Sequence, residues 1–246
     1  MRNYFNILLF CLLSYSGYAQ TAEEYIETGL SKFSQANYKA AIIEFNKALK
    51  INPNLGEAYV HRAESKRELG DLRGAISDFN HALSINPNAA ESYNARGEIM
   101  NLLGHYREAI QDFNQTLHIN KKHATAYYNR GNSHQATGSY RAAIKDYNKA
   151  LTINTSYAEA FFELGNVFNS QGKYEEAIQN FDKSIGIKPD FAKVYISRGV
   201  AKIKTGAHDD GCNDLTKAQE LGDKGVHAML KLYCETQSTQ PEDKER

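Results

Sequence analysis

One interval governs this sequence, 34 residues. The segments YIETG (25–29), YVHRA (59–63), YNARG (93–97), YYNRG (127–131), FFELG (161–165) and YISRG (195–199) each begin 34 residues after the last. Between them run NYKAAIIEFNKAL, DLRGAISDFNHAL, HYREAIQDFNQTL, SYRAAIKDYNKAL, KYEEAIQNFDKSI and the weaker AHDDGCNDLTKAQ. A fixed period of this length means stacked supersecondary repeats, none of which buries its apolar face alone. Six repeats, 22–55, 56–89, 90–123, 124–157, 158–191 and 192–225, account for most of the 246 residues.

Each repeat reads as two helices. In the third, Tyr93, Gly97 and Met100 share one face, and Ala109, Ile110 and Phe113 share another. Gly70, Gly104, Gly138, Gly172 and Gly206 fall between the paired helices, where a helix must stop and turn. Gly97, Gly131, Gly165 and Gly199 fall inside the first helix. Gly there costs about 1 kcal/mol against Ala, so its recurrence at one slot predicts a close helix approach. Pro53, Pro87 and Pro189 mark the junctions between repeats. No strand-like alternation interrupts the pattern, and the fold class is all-α.

Counting slots from residue 22, the pattern is an aromatic at slot 4, Gly or Ala at 8, Gly at 15, Tyr at 17, Ala at 20, an aromatic at 24, Ala at 27 and Pro at 32. This pattern resembles the tetratricopeptide repeat (TPR) family over residues 22–225. The resemblance implies a right-handed α-solenoid of six antiparallel helix pairs, with first helices lining a concave groove. Lys121 and Thr155 depart from it by replacing Pro at two junctions. The sixth repeat departs further, with His208, Gly211 and Leu215 in place of Tyr, Ala and an aromatic, as an end repeat relaxing into a cap would. Residues 226–236 read as a capping helix and the polar 237–246 as a disordered tail.

Charge falls in step with the period. Arg62, Arg96, Arg130 and Arg198 occupy slot 7, and Asp78, Asp112, Asp146 and Asp214 each follow 16 residues later. The fifth repeat has Leu164 and Asn180 at these slots and loses both charges together. Joint presence and absence predicts an Arg–Asp pair inside each repeat, against the alternative of an Arg ladder for an anionic ligand. With 29 basic and 29 acidic residues, the chain gives no electrostatic case for nucleic acid. Its 41% apolar content is too high for a disordered chain.

Residues 1–19 resemble a secretory signal peptide. Arg2 precedes the unbroken apolar run Ile7–Leu13, and small Gly17 and Ala19 suit a cleavage site near Ala19. The run is short for a membrane span, so no span is expected in the mature chain, the alternative being an uncleaved anchor. Export would carry the protein to the periplasm or the cell exterior and leave Cys212 and Cys234 as its two cysteines. A hairpin turning at Gly222–Asp223 brings these to matching heights, which favours a disulfide over two buried thiols or a metal pair.

The sequence offers no phosphate-binding Gly loop, zinc spacing or nucleophile elbow, and so no catalytic, cofactor or metal residues. Function is therefore expected in the groove. Slots 5, 9 and 12 give apolar triplets at the ends, Ile26, Leu30 and Phe33 in the first repeat and Ile196, Val200 and Ile203 in the sixth. The middle repeats give Asn94, Glu98, Asn101, Tyr128, Asn132, Gln135, Phe162, Asn166 and Asn169. Amides both donate and accept, which suits a peptide backbone. Asn129, Asn132 and Asn166 partly resemble a clamp for a peptide C-terminal carboxylate, but its Lys and Arg are missing. The expected function is an exported, non-enzymatic protein-binding scaffold, with a glycan or envelope polymer as the alternative ligand. Acidic Glu23, Glu24 and Glu27 at one end and basic Lys193, Arg198, Lys202 and Lys204 at the other also permit head-to-tail self-assembly, the alternative being end stripes covered by neighbouring segments.

Overall fold

The computed structural model describes residues 20–235. The expected signal peptide and the polar tail at 237–246 lie outside the described residues. The chain divides into two compact units, Met1–Ile99 and Met100–Arg246. The described residues are helical, in pairs, without strands. The N-terminal unit holds α1 (Ala22–Ser34), α2 (Tyr38–Ile51), α3 (Gly56–Glu68) and α4 (Leu72–Ile85), and α5 (Ala90–Leu102) begins in it. The C-terminal unit holds α6 (Tyr106–Ile119), α7 (Ala124–Ala136), α8 (Tyr140–Ile153), α9 (Ala158–Ser170), α10 (Tyr174–Ile187), α11 (Ala192–Lys204) and α12 (His208–Glu220). A short α13 (Val226–Leu230) follows and runs into a π-helical turn, Lys231–Glu235.

Local chemistry sets the ends of these helices. Thr21 and Glu24 form a capping box at the start of α1, each side chain meeting the other residue's N–H at 3.2 Å. Asn37 and Asp71 cap α2 and α4 through their side-chain oxygens. Gly70, Gly104, Gly138, Gly172 and Gly206 turn the chain at φ between 74° and 90°, where a side chain is strained. The first repeat has Ala36 at this slot, held at φ 57°. The junctions carry a device that the Pro pattern does not reveal. Asn52, Asn86, Asn120 and Asn154 each accept the N–H two residues on, at 3.0–3.1 Å. Lys121 and Thr155 can therefore stand where Pro is absent.

The core is an aromatic set against a bare helix. Phe45, Tyr147 and Phe181 are fully buried, and their rings lie where a Cβ on Gly29, Gly131 or Gly165 would come within 2.6 Å. In the sixth repeat Leu215 replaces the ring and the helices close further. A Cβ on Gly199 would meet the Gly211 carbonyl at 2.8 Å, and one on Gly211 would meet the Gly199 carbonyl at 2.6 Å. Gly211 thus belongs to a backbone-to-backbone crossing rather than to a loosened end. The cap closes on this crossing. Val226 is buried against Leu215 and Ala218, and His208 Nε2 lies 2.7 Å from the Tyr233 carbonyl. The cap helix starts at Val226 because Gly222 turns at φ 89° and Asp223 accepts the Gly225 N–H at 2.8 Å. Cys212 and Cys234 meet across this turn, Cα atoms 5.8 Å apart and Sγ atoms joined.

The Arg–Asp pairing within repeats is present and reaches further than the sequence suggests. Arg62 Nε and Nη2 donate to Asp78 at 2.8 and 2.6 Å, and Nη1 donates to Asn46 in the preceding repeat at 2.6 Å. Arg130 repeats this with Asp146 and Asn114, and Arg198 with Asp214 and Asp182. Each guanidinium also stacks on the Tyr three residues before it, 5.2–5.5 Å from the centroid. Each of these three guanidinium groups spends three of its five donors and its charge within the protein, which argues against a ladder of anion sites.

Candidate functional site

First helices approach one another more closely than second helices do, α1 with α3 in the N-terminal unit and α9 with both α7 and α11 in the C-terminal unit. The first helices therefore line the inner face of each unit, where slots 5, 9 and 12 were expected to matter.

In the N-terminal unit much of this face is already engaged. Ile26 is 7% exposed and packs in the core with Ala48, Leu49 and Ala58, and Leu30 covers the same cluster. Phe33 sets its ring edge-on to Tyr38 at 5.3 Å. The apolar stripe of the first repeat is thus largely core. Asn94 is buried and donates to Glu98 Oε1 at 2.8 Å, while its own Oδ1 meets no donor. Glu98 in turn lies 3.7 Å from Arg67.

The inner face of the C-terminal unit is a connected polar surface. Asn101 donates to the Asn129 carbonyl at 3.3 Å and accepts the Ser133 hydroxyl at 2.7 Å. Its centre is Tyr147, which takes the slot held by Phe45, Phe79, Phe113 and Phe181 in other repeats. The Tyr147 ring is fully buried, and its hydroxyl lies 2.8 Å from both Asn132 Oδ1 and Gln135 Oε1. Two of the amides read as ligand groups therefore also serve a buried hydroxyl, which would otherwise lack an acceptor. Gln135 Nε2 reaches Glu163 Oε2 at 3.4 Å, and Asn166 Nδ2 reaches the same oxygen at 3.2 Å. Burial first, then the negative field of Glu163, pushes the Tyr147 pKa well above the usual tyrosine value. Burial also raises Tyr128, whose ring tilts against Tyr147 and Tyr157.

Asn132, Gln135, Ala136 and Glu163 line a cleft of about 250 Å³. Glu163 supplies its only charge, and no cation lies within ion-pair distance of it among the described residues. Asn169, one turn beyond Asn166 on α9, has its Oδ1 buried without a donor. Phe162 packs against Phe181 and Phe191. At the far end Ile196 and Ile203 lean on the Tyr195–Leu215 core, with Val200 half-buried between them. The charge of this cleft is opposite to that of a carboxylate clamp. Among the described residues no group of three His, Cys, Asp or Glu could hold a metal, and no helix is long and apolar enough to cross a membrane. The sequence reading missed Tyr147 and Glu163; the first was signalled by a Tyr where other repeats have Phe.

Tetratricopeptide repeat family models match residues 25–55, 56–89, 79–111 and 122–190. The crystal structure of MamA is 32% identical, with TM-score 0.61, over 67% of this chain and 96% of that one. YrrB is 22% identical, with TM-score 0.62, over 76% of this chain and 97% of that one. PilF of Pseudomonas aeruginosa is 17% identical, with TM-score 0.75, over 86% of this chain and 96% of that one. No curated protein matches the sequence.

Proposed function

The chain belongs to the tetratricopeptide repeat family, and from that premise we propose an exported, non-enzymatic scaffold that holds an extended partner segment on its inner face. The inner face of α7 and α9 carries the reading. There an open cleft is bordered by amides and a carboxylate, Asn169 further along α9 keeps a buried acceptor lacking a donor, and Arg130 and Arg198 of the C-terminal unit are paired within the fold. An extended backbone supplies N–H and C=O groups at intervals that such a face can meet. YrrB, a protein of the same fold, is described as having an unusual peptide-binding site.

A photo-crosslinking amino acid placed at Gln135 or Asn166, and as controls at exposed Lys145 or Lys149, tests this in cells. Adducts are expected from the inner positions, removed by protease and resistant to glycan digestion. Equal labelling from the controls, or adducts lost with the glycan, would sink the proposal.

Export is supported by the apolar Ile7–Leu13 run and by the fit of Cys212 and Cys234 to a disulfide, a bond suited to an oxidising compartment. Protein purified from the envelope without reductant should resist alkylation at both cysteines and weigh two hydrogens less than the reduced form. Free thiols in that material would refute the oxidised state.

A further inference from the structure

The cleft between the fourth and fifth repeats has a chemistry of its own. Glu163 is half-buried, and the two groups that reach its Oε2 are neutral amides, from Gln135 and Asn166. An amide offers a partial charge to a carboxylate that has given up part of its hydration. The more deeply buried carboxylates Asp146 and Asp214 of this unit are treated differently. Asp146 faces Arg130 and His134, and Asp214 faces Arg198 and Lys202. Glu163 has no cation within ion-pair distance among the described residues, and it borders an open cleft. On the same helix Asn169 keeps a buried acceptor without a donor. Both groups call for hydrogen-bond donors, and the first calls for positive charge.

We propose that this cleft docks a Lys or Arg side chain of the partner segment, its ammonium or guanidinium placed against Glu163. The proposal rests on the scaffold reading and narrows it to partners with a basic residue at one fixed position. The size of the cleft agrees, since about 250 Å³ admits the end of a long side chain and not a folded surface. The Asn132 and Gln135 oxygens, already turned to Tyr147, flank the site with further acceptors. A guanidinium has five donors to distribute over such a set. A C-terminal carboxylate entering the same cleft would meet like charge, with no clamp Lys or Arg in these repeats to offset it.

A random dodecapeptide library selected on the chain, and in parallel on Glu163→Gln and Glu163→Lys, tests the dock. Peptides selected on the native chain should carry Lys or Arg at one position. Their synthetic forms should bind Glu163→Gln about tenfold more weakly and lose affinity in high salt. Glu163→Lys should select acidic residues at that position instead. Both variants are checked for native helical circular dichroism first. Peptides that bind without a basic preference, or bind Glu163→Gln equally well, overturn the dock and leave the scaffold standing. If neither the native chain nor a variant selects any peptide, the scaffold reading falls and the dock falls with it.

Discussion

Asp146→Ala is expected to destabilise the folded chain by about 3 kcal/mol, a drop of roughly 6–12 °C in melting midpoint for a chain of this size. The carboxylate is 3% exposed and takes two hydrogen bonds from Arg130 Nε and Nη2, at 2.8 and 2.7 Å. Removing it strands two donors of a guanidinium that is itself mostly covered. Asn114 and the Tyr127 face remain, but neither replaces the lost charge. The fifth repeat supplies the control, because it carries Leu164 and Asn180 at the same two slots and is folded. There Leu164 is buried and Asn180 donates to its own helix, to the Glu176 carbonyl at 2.7 Å. The pair Arg130→Leu with Asp146→Asn should therefore recover most of the loss, as buried ion pairs exchanged for matched neutral packing often do. A single variant that melts with the native chain, or a double variant no more stable than the single, would contradict this.

Gly165→Val is expected to cost about 3 kcal/mol and Gly165→Ala close to nothing. A Cβ at this position would lie 2.5 Å from Phe181 Cε1 and 2.7 Å from Cδ1, and Phe181 is fully buried with no room to retreat far. Ala63 occupies the same slot in the second repeat, buried in one cluster with Phe79. One methyl group is thus accommodated by a small ring shift. Ala also recovers about 1 kcal/mol of helix propensity, which offsets that shift. A branched side chain adds two more carbons and a stiff χ1, and the ring cannot clear both. Denaturant midpoints of the two variants measure the difference directly. A Val variant as stable as the Ala variant would show that the glycine is not there for the ring.

The architecture was legible because the period encodes it. First helices begin at residues 22, 56, 90, 124, 158 and 192, and second helices at 38, 72, 106, 140, 174 and 208, as stacked identical repeats require. The Arg–Asp pairs were legible for a related reason, since two residues that appear and vanish together lie in contact. What escaped were partners set by the neighbouring repeat. Asn46 and Asn114 look like ordinary surface residues within their own helix, and only the stacking of the next repeat brings an Arg to them. The inner face was legible as a list of slots but not as a surface. Ile26 stands at a groove slot by counting, yet it turns into the core under Tyr59 and Leu55. Asn132 and Gln135 gained a structural duty from a single hydroxyl on another helix.

The Arg that ties a repeat to the one before it also bears on how unfolding spreads along the array. In a quasi-one-dimensional stack, stability is close to a sum of repeat terms and nearest-neighbour interface terms, and repeats come apart cooperatively only as far as the interfaces between them are strong. Leu164 stands where the bridging Arg would be, so the step from the fourth repeat to the fifth lacks this polar rivet. Apolar packing of Tyr147, Ala150 and Leu151 against Ala160 and Leu164 carries that step, together with the Gln135–Glu163 contact. Fraying that starts at the capped end of the chain is expected to halt there, between the fourth and fifth repeats.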